Sequence, residues 1–320
     1  MADPVGGAPP TDPTDIPGPW QHRHVAANGA RFHVAEPDSG SGSAPRRLVV
    51  LLHGFPELWW AWRHQLGPLA DAGFRAVAMD LRGYGGSDKT PVGYDPFTLA
   101  QDVSGVVKAL GARDAVLVGH GWGGYVGWAA AVLHPAEVSA LVTVSAPHPL
   151  AMLRALRTGH GGTALRHLLA MQVPMRPERR LARADSGYLA AHLRSRSGPG
   201  STFPSDAEVA TYQRAIGVWP SSHCALEYHR WLVRSRLRSD GRRFTHAMRS
   251  PVTQPVRVVT GEEDRVVPVE AVRASRGWVA GDLLEHRMPR AGHFPHEEDP
   301  PAFTELLLSW LTGLPRPLPG

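Results

Sequence analysis

A chain of 320 residues with 42% hydrophobic side chains can bury a large core, which excludes a small stapled module. Its one cysteine, Cys224, excludes an internal disulfide and points to a reducing, cytoplasmic setting. The net charge of +5 is uneven: residues 148–250 hold 17 Arg against 6 acidic residues, or +11, and the remainder is −6.

In chain order, residues 1–19 are rich in Pro, Gly, Asp and Thr and are expected to be a disordered tail. They lack the basic-then-apolar order of a signal peptide. Residues 24–27 and 31–36 flank Asn28-Gly29, a strong hairpin signal. The Gly/Ser run at 38–43 reads as a flexible loop. An alternation follows: strand 48–52, helix 62–71, strand 74–79, helix 97–110, strand 115–118, helix 122–133 and strand 138–144. It resumes with strand 256–260, helix 269–279, strand 283–288 and helix 302–311. Short, wholly apolar strands between helices predict a mostly parallel sheet covered on both faces, an α/β fold. Between 148 and 250 the strand signal vanishes, and Pro and Gly break an Arg-rich helical stretch. The domain reading is therefore a core of residues 20–147 and 251–314 with a helical cap at 148–250.

The arginines of that insertion have two readings, a GC-rich genome or a basic surface facing a membrane or an acidic partner. Residues 222–239 set Leu226, Trp231, Leu232, Val233 and Leu237 among four arginines, which fits either a lid-packing helix or an interfacial one. No apolar run approaches the ~18 residues of a membrane span.

Ligands of open α/β sheets bind beyond the carboxyl ends of the strands. Three places there carry chemistry: "HGFP" at 53–56, "GHGWGG" at 119–124, and the pair "GEEDRVVP" at 261–268 and "AGHFPHEEDP" at 291–300. The second has the shape of a nucleophile elbow, a small-x-nucleophile-x-small turn between strand and helix. Its centre is Gly121, which has no side chain.

With "HGFPELWWAWRHQ", "DLRGYGGSDKT" and "SAPHP" also in register, the chain resembles the α/β-hydrolase-fold superfamily, and within it the epoxide hydrolase and haloalkane or haloacid dehalogenase branch. The resemblance implies that Asp264 orients His293, that His293 is the general base, and that the Phe55 and Trp122 N–H groups form an oxyanion hole. It implies an Asp nucleophile where Gly121 stands, so a covalent ester there is excluded. It also implies two cap tyrosines holding an epoxide oxygen. Here "ALEYHRW" places His229 at one such position and Tyr228 one residue early, and Tyr212 is a possible second donor. His296 reads as structural, Asp80 as a loop brace, and His120 should point away from the cavity. Ser145 follows a strand without a turn to present it.

Two functions follow from these residues. One is a hydrolase acting on a small, partly apolar substrate through the His293–Asp264 dyad without a covalent intermediate. The other is an inactive ligand-binding or interaction protein. No cofactor, metal or nucleic-acid partner is expected.

Overall fold

The computed structural model describes residues 14–38 and 47–314. Residues 39–43 of the expected 38–43 loop, most of the expected tail and the last six residues lie outside the described residues. Of the tail, Thr14 is buried, and its carbonyl accepts a hydrogen bond from Trp59 Nε1 at 3.1 Å.

The chain opens with strands β1 (Trp20–Ala27) and β2 (Ala30–Pro37), paired antiparallel in register from Trp20 opposite Pro37 to Ala27 opposite Ala30. This hairpin is longer than the sequence pattern suggests because the ladder continues through half-exposed polar residues that show no clean alternation. Then come β3 (Leu48–Leu52), helix α1 (Arg63–Asp71), β4 (Arg75–Met79), α2 (Pro96–Ala109), β5 (Ala115–His120), α3 (Trp122–Leu133) and β6 (Val138–Val144). The α2 start follows from its sequence: Asp95 accepts from the N–H groups of Phe97 and Thr98, and Pro96 takes the first helical position.

Seven helices separate β6 from β7: α4 (Pro149–Arg157), α5 (Gly162–Ala170), α6 (Arg176–Ala182), α7 (Tyr188–Arg194), α8 (Asp206–Gly217), α9 (Ser221–Arg234) and α10 (Ser239–Ala247). We call them the lid. The chain closes with β7 (Val256–Gly261), α11 (Val269–Ala274), β8 (Leu283–Met288), α12 (Pro295–Glu298) and α13 (Pro300–Thr312). The helix expected over 269–279 ends early and tightens to a 3₁₀ turn at Ser275–Trp278.

The eight strands form one sheet in the order β1-β2-β4-β3-β5-β6-β7-β8. β2 meets both neighbours antiparallel, and the pairs from β4 onward are parallel. β3 and β5 sit centrally, and every residue of both is buried, which is why they read as continuous apolar runs. The parallel ladder brings the carboxyl ends of β3, β5, β7 and β8 to one edge, under the lid.

Candidate active site

β5 ends in a tight turn. Gly121 has φ +50° and ψ −112°, its N–H donates to the Val144 carbonyl at 3.0 Å, and its carbonyl accepts from Tyr125 N–H. The turn packs so closely under β3 that a Cβ on Gly123 would stand 2.2 Å from the Leu52 carbonyl oxygen. Glycine at 123 is thus required by contact. A Cβ at Gly121 would touch only Gly54 Cα, at 3.6 Å. Space for a nucleophile's side chain is present, and the side chain is not.

Asp264 follows β7 and His293 follows β8. His293 Nδ1 lies 2.9 Å from Asp264 Oδ2, and Asp264 Oδ1 accepts from the N–H groups of Val266 (2.8 Å) and Val267 (3.0 Å). Burial alone would raise the Asp264 carboxyl; the His293 ring and those two N–H donors hold it below its ordinary range. A carboxylate can only accept, so Nδ1 carries the ring proton and Nε2 the lone pair. His293 borders a cavity of about 180 Å³ that Phe55, Gly121 and Trp122 also line. The backbone N–H groups of Phe55 and Trp122 have no acceptor among the described residues.

The loop carrying Phe55 is fixed from below. His53 Nδ1–H donates to the Gly54 carbonyl (2.8 Å), and its Nε2 accepts from Leu81 N–H (3.1 Å). Asp80 accepts from Trp59 N–H, Gly86 N–H and the His33 ring, all within 2.9 Å, and so braces the loop. His120, next to the elbow centre, turns into the core as strand alternation predicts. Its Nδ1 meets Glu57 Oε2 at 2.7 Å and its Nε2 meets the His293 carbonyl at 2.9 Å. Both partners accept, so His120 holds a proton on each nitrogen as an imidazolium. Burial opposes that charge, but Glu57 raises the His120 pKa, and His120 pulls the Glu57 carboxyl well below its usual range.

Glu57, His120 and His296 are also one of three described groups with ligand atoms close enough for an ion. The 2.7 Å Glu57–His120 contact is shorter than the ~3.3 Å that two ligands about 2.0–2.1 Å from one tetrahedral ion would keep. Glu57 and His120 read as a hydrogen-bonded ion pair, with His296 Nε2 beside it at 3.5 Å from Glu57 Oε1.

The lid positions differ from expectation. Tyr212 donates to buried Glu297, which also pairs with Arg63 at 2.8 Å. Tyr228 donates to the Arg82 carbonyl at 2.7 Å. Neither borders the cavity, because buried acceptors on the core claim both hydroxyls. His229 does border it. Its Nδ1–H donates to the Ala225 carbonyl (3.2 Å), so its Nε2 accepts, from Trp122 Nε1–H at 3.0 Å and from the His167 ring at 3.2 Å. His229 therefore has a lone pair, already engaged by Trp122 and His167, where a tyrosine would present a donor. Burial lowers His229 to about 3 and holds His167 and His192 well below the ordinary histidine value.

Arg196, His167 and His192 also line the cavity, and no motif in the sequence marked them. Ser145 lines it too, with φ +49° and a buried hydroxyl that has no partner among the described residues. Along α9, Leu226 is buried, Trp231 and Leu232 face the cavity, and Leu237 beyond the helix is exposed.

The alpha/beta hydrolase family model matches residues 49–306. The chain belongs to that family. It is 31% identical over 293 residues to the AB hydrolase superfamily protein YfhM of Bacillus subtilis, covering 90% of this chain and 96% of that one. It is 31% identical to epoxide hydrolase A of Mycobacterium tuberculosis, covering 91% and 97%. Among solved structures, epoxide hydrolase A of Mycobacterium thermoresistibile superposes with a TM-score of 0.77 at 26% identity, over 93% of this chain and 100% of that one. The fold is thus an α/β-hydrolase fold, and the chain is epoxide hydrolase-like. Among the described residues, no helix is long and apolar enough to cross a membrane.

Proposed function

We propose that this protein is a hydrolase that works without a covalent enzyme ester, using water directly. The observation that carries the reading is the His293–Asp264 hydrogen bond, which leaves Nε2 free in the cavity that Gly121 borders. Water above Gly121 gives a proton to His293 Nε2 as its oxygen bonds to the substrate's electrophilic carbon. The electron pair moves onto the substrate oxygen, where the Phe55 and Trp122 N–H groups stabilise it. In an ester that pair re-forms the carbonyl as the bond to the alkoxide breaks, and His293 returns the proton to the alkoxide; in an epoxide the opened ring oxygen is itself the leaving group and takes the proton. Losing the nucleophile of such a set costs roughly 10⁶ in kcat, and binding with an oxyanion hole retains on the order of 10³–10⁴ over water. A slow catalyst is expected.

The test is turnover of styrene oxide, chloroacetate and p-nitrophenyl acetate by wild type and His293→Ala, with intact-protein mass spectrometry during turnover. Product that depends on His293, with no mass added to the protein, supports the reading. Equal turnover by the two proteins refutes it.

The second reading, a ligand-binding protein without turnover, draws on Gly121 and on the engaged hydroxyls of Tyr212 and Tyr228. It expects saturable binding and no product from any of the three compounds.

A further inference from the structure

Some lid arginines pair with carboxylates: Arg230 has Glu178 and Glu227, and Arg194 has Asp206. Arg196, just after α7, has none within ion-pair distance among the described residues. Its Nη1 donates to the His192 carbonyl at 3.1 Å and reaches Ser195 Oγ at 3.4 Å, and its Nη2 reaches His167 Nδ1 at 3.4 Å. A guanidinium has five N–H donors. The Nε–H and one Nη2–H therefore remain, the kind of parallel pair that grips a carboxylate through two hydrogen bonds.

The position of Arg196 fits a ligand-binding role. It borders the cavity beside His293, and its own carbonyl accepts the His293 N–H at 2.8 Å. Its guanidinium is desolvated there, with Asp264 on the far side of His293 and Tyr188 as the partial counterweights. An unpaired charge in such a place is costly unless something anionic arrives. Arg236 also borders the cavity without a carboxylate partner, but it is the more exposed of the two. Much of the remaining wall is apolar, including Leu150, Met152, Leu153, Leu168 and Phe244. A closed apolar cavity of roughly 150 Å³ accepts benzene. At about 180 Å³, this one has room for a single ring or a short chain.

We propose that the cavity binds a small monocarboxylate, its carboxylate on the Nε–H and Nη2–H of Arg196 and its ring or short chain against the apolar lid wall. This deepens the reading above by naming the ligand class and rests on the same cavity, though it does not require turnover.

The experiment is isothermal titration of the full-length protein with phenylacetate and hexanoate, each beside its neutral amide. Wild type is expected to bind at least one acid ten-fold or more tighter than its amide. Arg196→Gln should erase that preference, Arg196→Lys should restore part of it, and Arg236→Gln should leave it in place. His293→Ala should still bind the acid, so loss of the hydrolase reading would not remove this one. Equal affinity for acid and amide in wild type, no binding of either acid at millimolar concentration, or loss of the preference in Arg236→Gln but not Arg196→Gln would each overturn the proposal. The wild-type comparison decides even if the Arg196 variants fail to fold.

Discussion

At Gly121 the backbone occupies a region that costs a residue with a Cβ on the order of 1–3 kcal/mol. The nearest obstacle to a Cβ is at ordinary contact distance. Gly121→Ala is therefore expected to lower unfolding stability by about that strain and no more, read by urea denaturation. Gly121→Asp should carry the same strain and put a carboxylate in the cavity; with styrene oxide it is expected to form a covalent adduct visible by intact-protein mass spectrometry. Absence of an adduct in a folded variant would show that the cavity no longer orients an epoxide. These residues could be read from sequence because the elbow, the "HGFP" loop and the two late loops are contiguous motifs at ordered strand ends. Arg196 could not be. It is one of 17 arginines in residues 148–250, and only its place in three dimensions, on the cavity wall beside His293 with no carboxylate at hand, sets it apart.

Between elements, the lid meets the core through a small number of strong contacts. Arg63 links Glu208 of α8 (2.5 Å) to Glu297 of α12 (2.8 Å), and Tyr212 of α8 donates to the same Glu297. Burial pushes Glu297 up to about 7 against the pull of Arg63 and Tyr212. Tyr212→Phe is expected to cost on the order of 1.5–3 kcal/mol, the range for a hydrogen bond to a charged group. Ligand affinity should not change, because the hydroxyl does not face the cavity. A loss of affinity with unchanged stability would contradict this placement. The lid was legible as helical from the loss of strand signal and its Pro and Gly breaks. Its docking was not, because a tyrosine at helical spacing looks the same whether its hydroxyl enters a pocket or a salt-bridge network.

For the whole molecule, acid should act chiefly through histidines. Burial keeps His53, His148, His167, His192, His229 and His296 below the ordinary value of 6.5, with His148 and His229 at about 3 and His296 at about 4. A depressed folded pKa means the unfolded chain takes the proton first, so stability is full above 6.5 and falls as pH drops toward those values. His120 and Glu297 act oppositely: their raised pKa values favour the folded state as pH falls. The lowered histidines, His64 and His134 also among them, outnumber these two, so the net direction is a loss. The urea midpoint is expected to fall between pH 7.5 and pH 5, and a midpoint that rises would contradict the neutral histidines. Three of the six, His167, His192 and His229, lie in the lid, so hydrogen exchange should quicken there before it does in β5 and β6. At this scale the sheet was the most legible part, since fully buried parallel strands must be apolar throughout.

The seam between the lid and the loop of His293 works as the spine of a book. His293 N–H donates to the Arg196 carbonyl, and Glu298 accepts from Gly198 N–H on one page and from Gly292 and Phe294 N–H on the other. A Cβ on Gly292 would stand 2.4 Å from the Arg196 carbonyl oxygen, so the two backbones lie flat together there. A displacement of Arg196 would therefore pull on His293 and on its hydrogen bond to Asp264. One backbone contact thus ties the base to the lid wall of the cavity, so the position of His293 and that of Arg196 are set together.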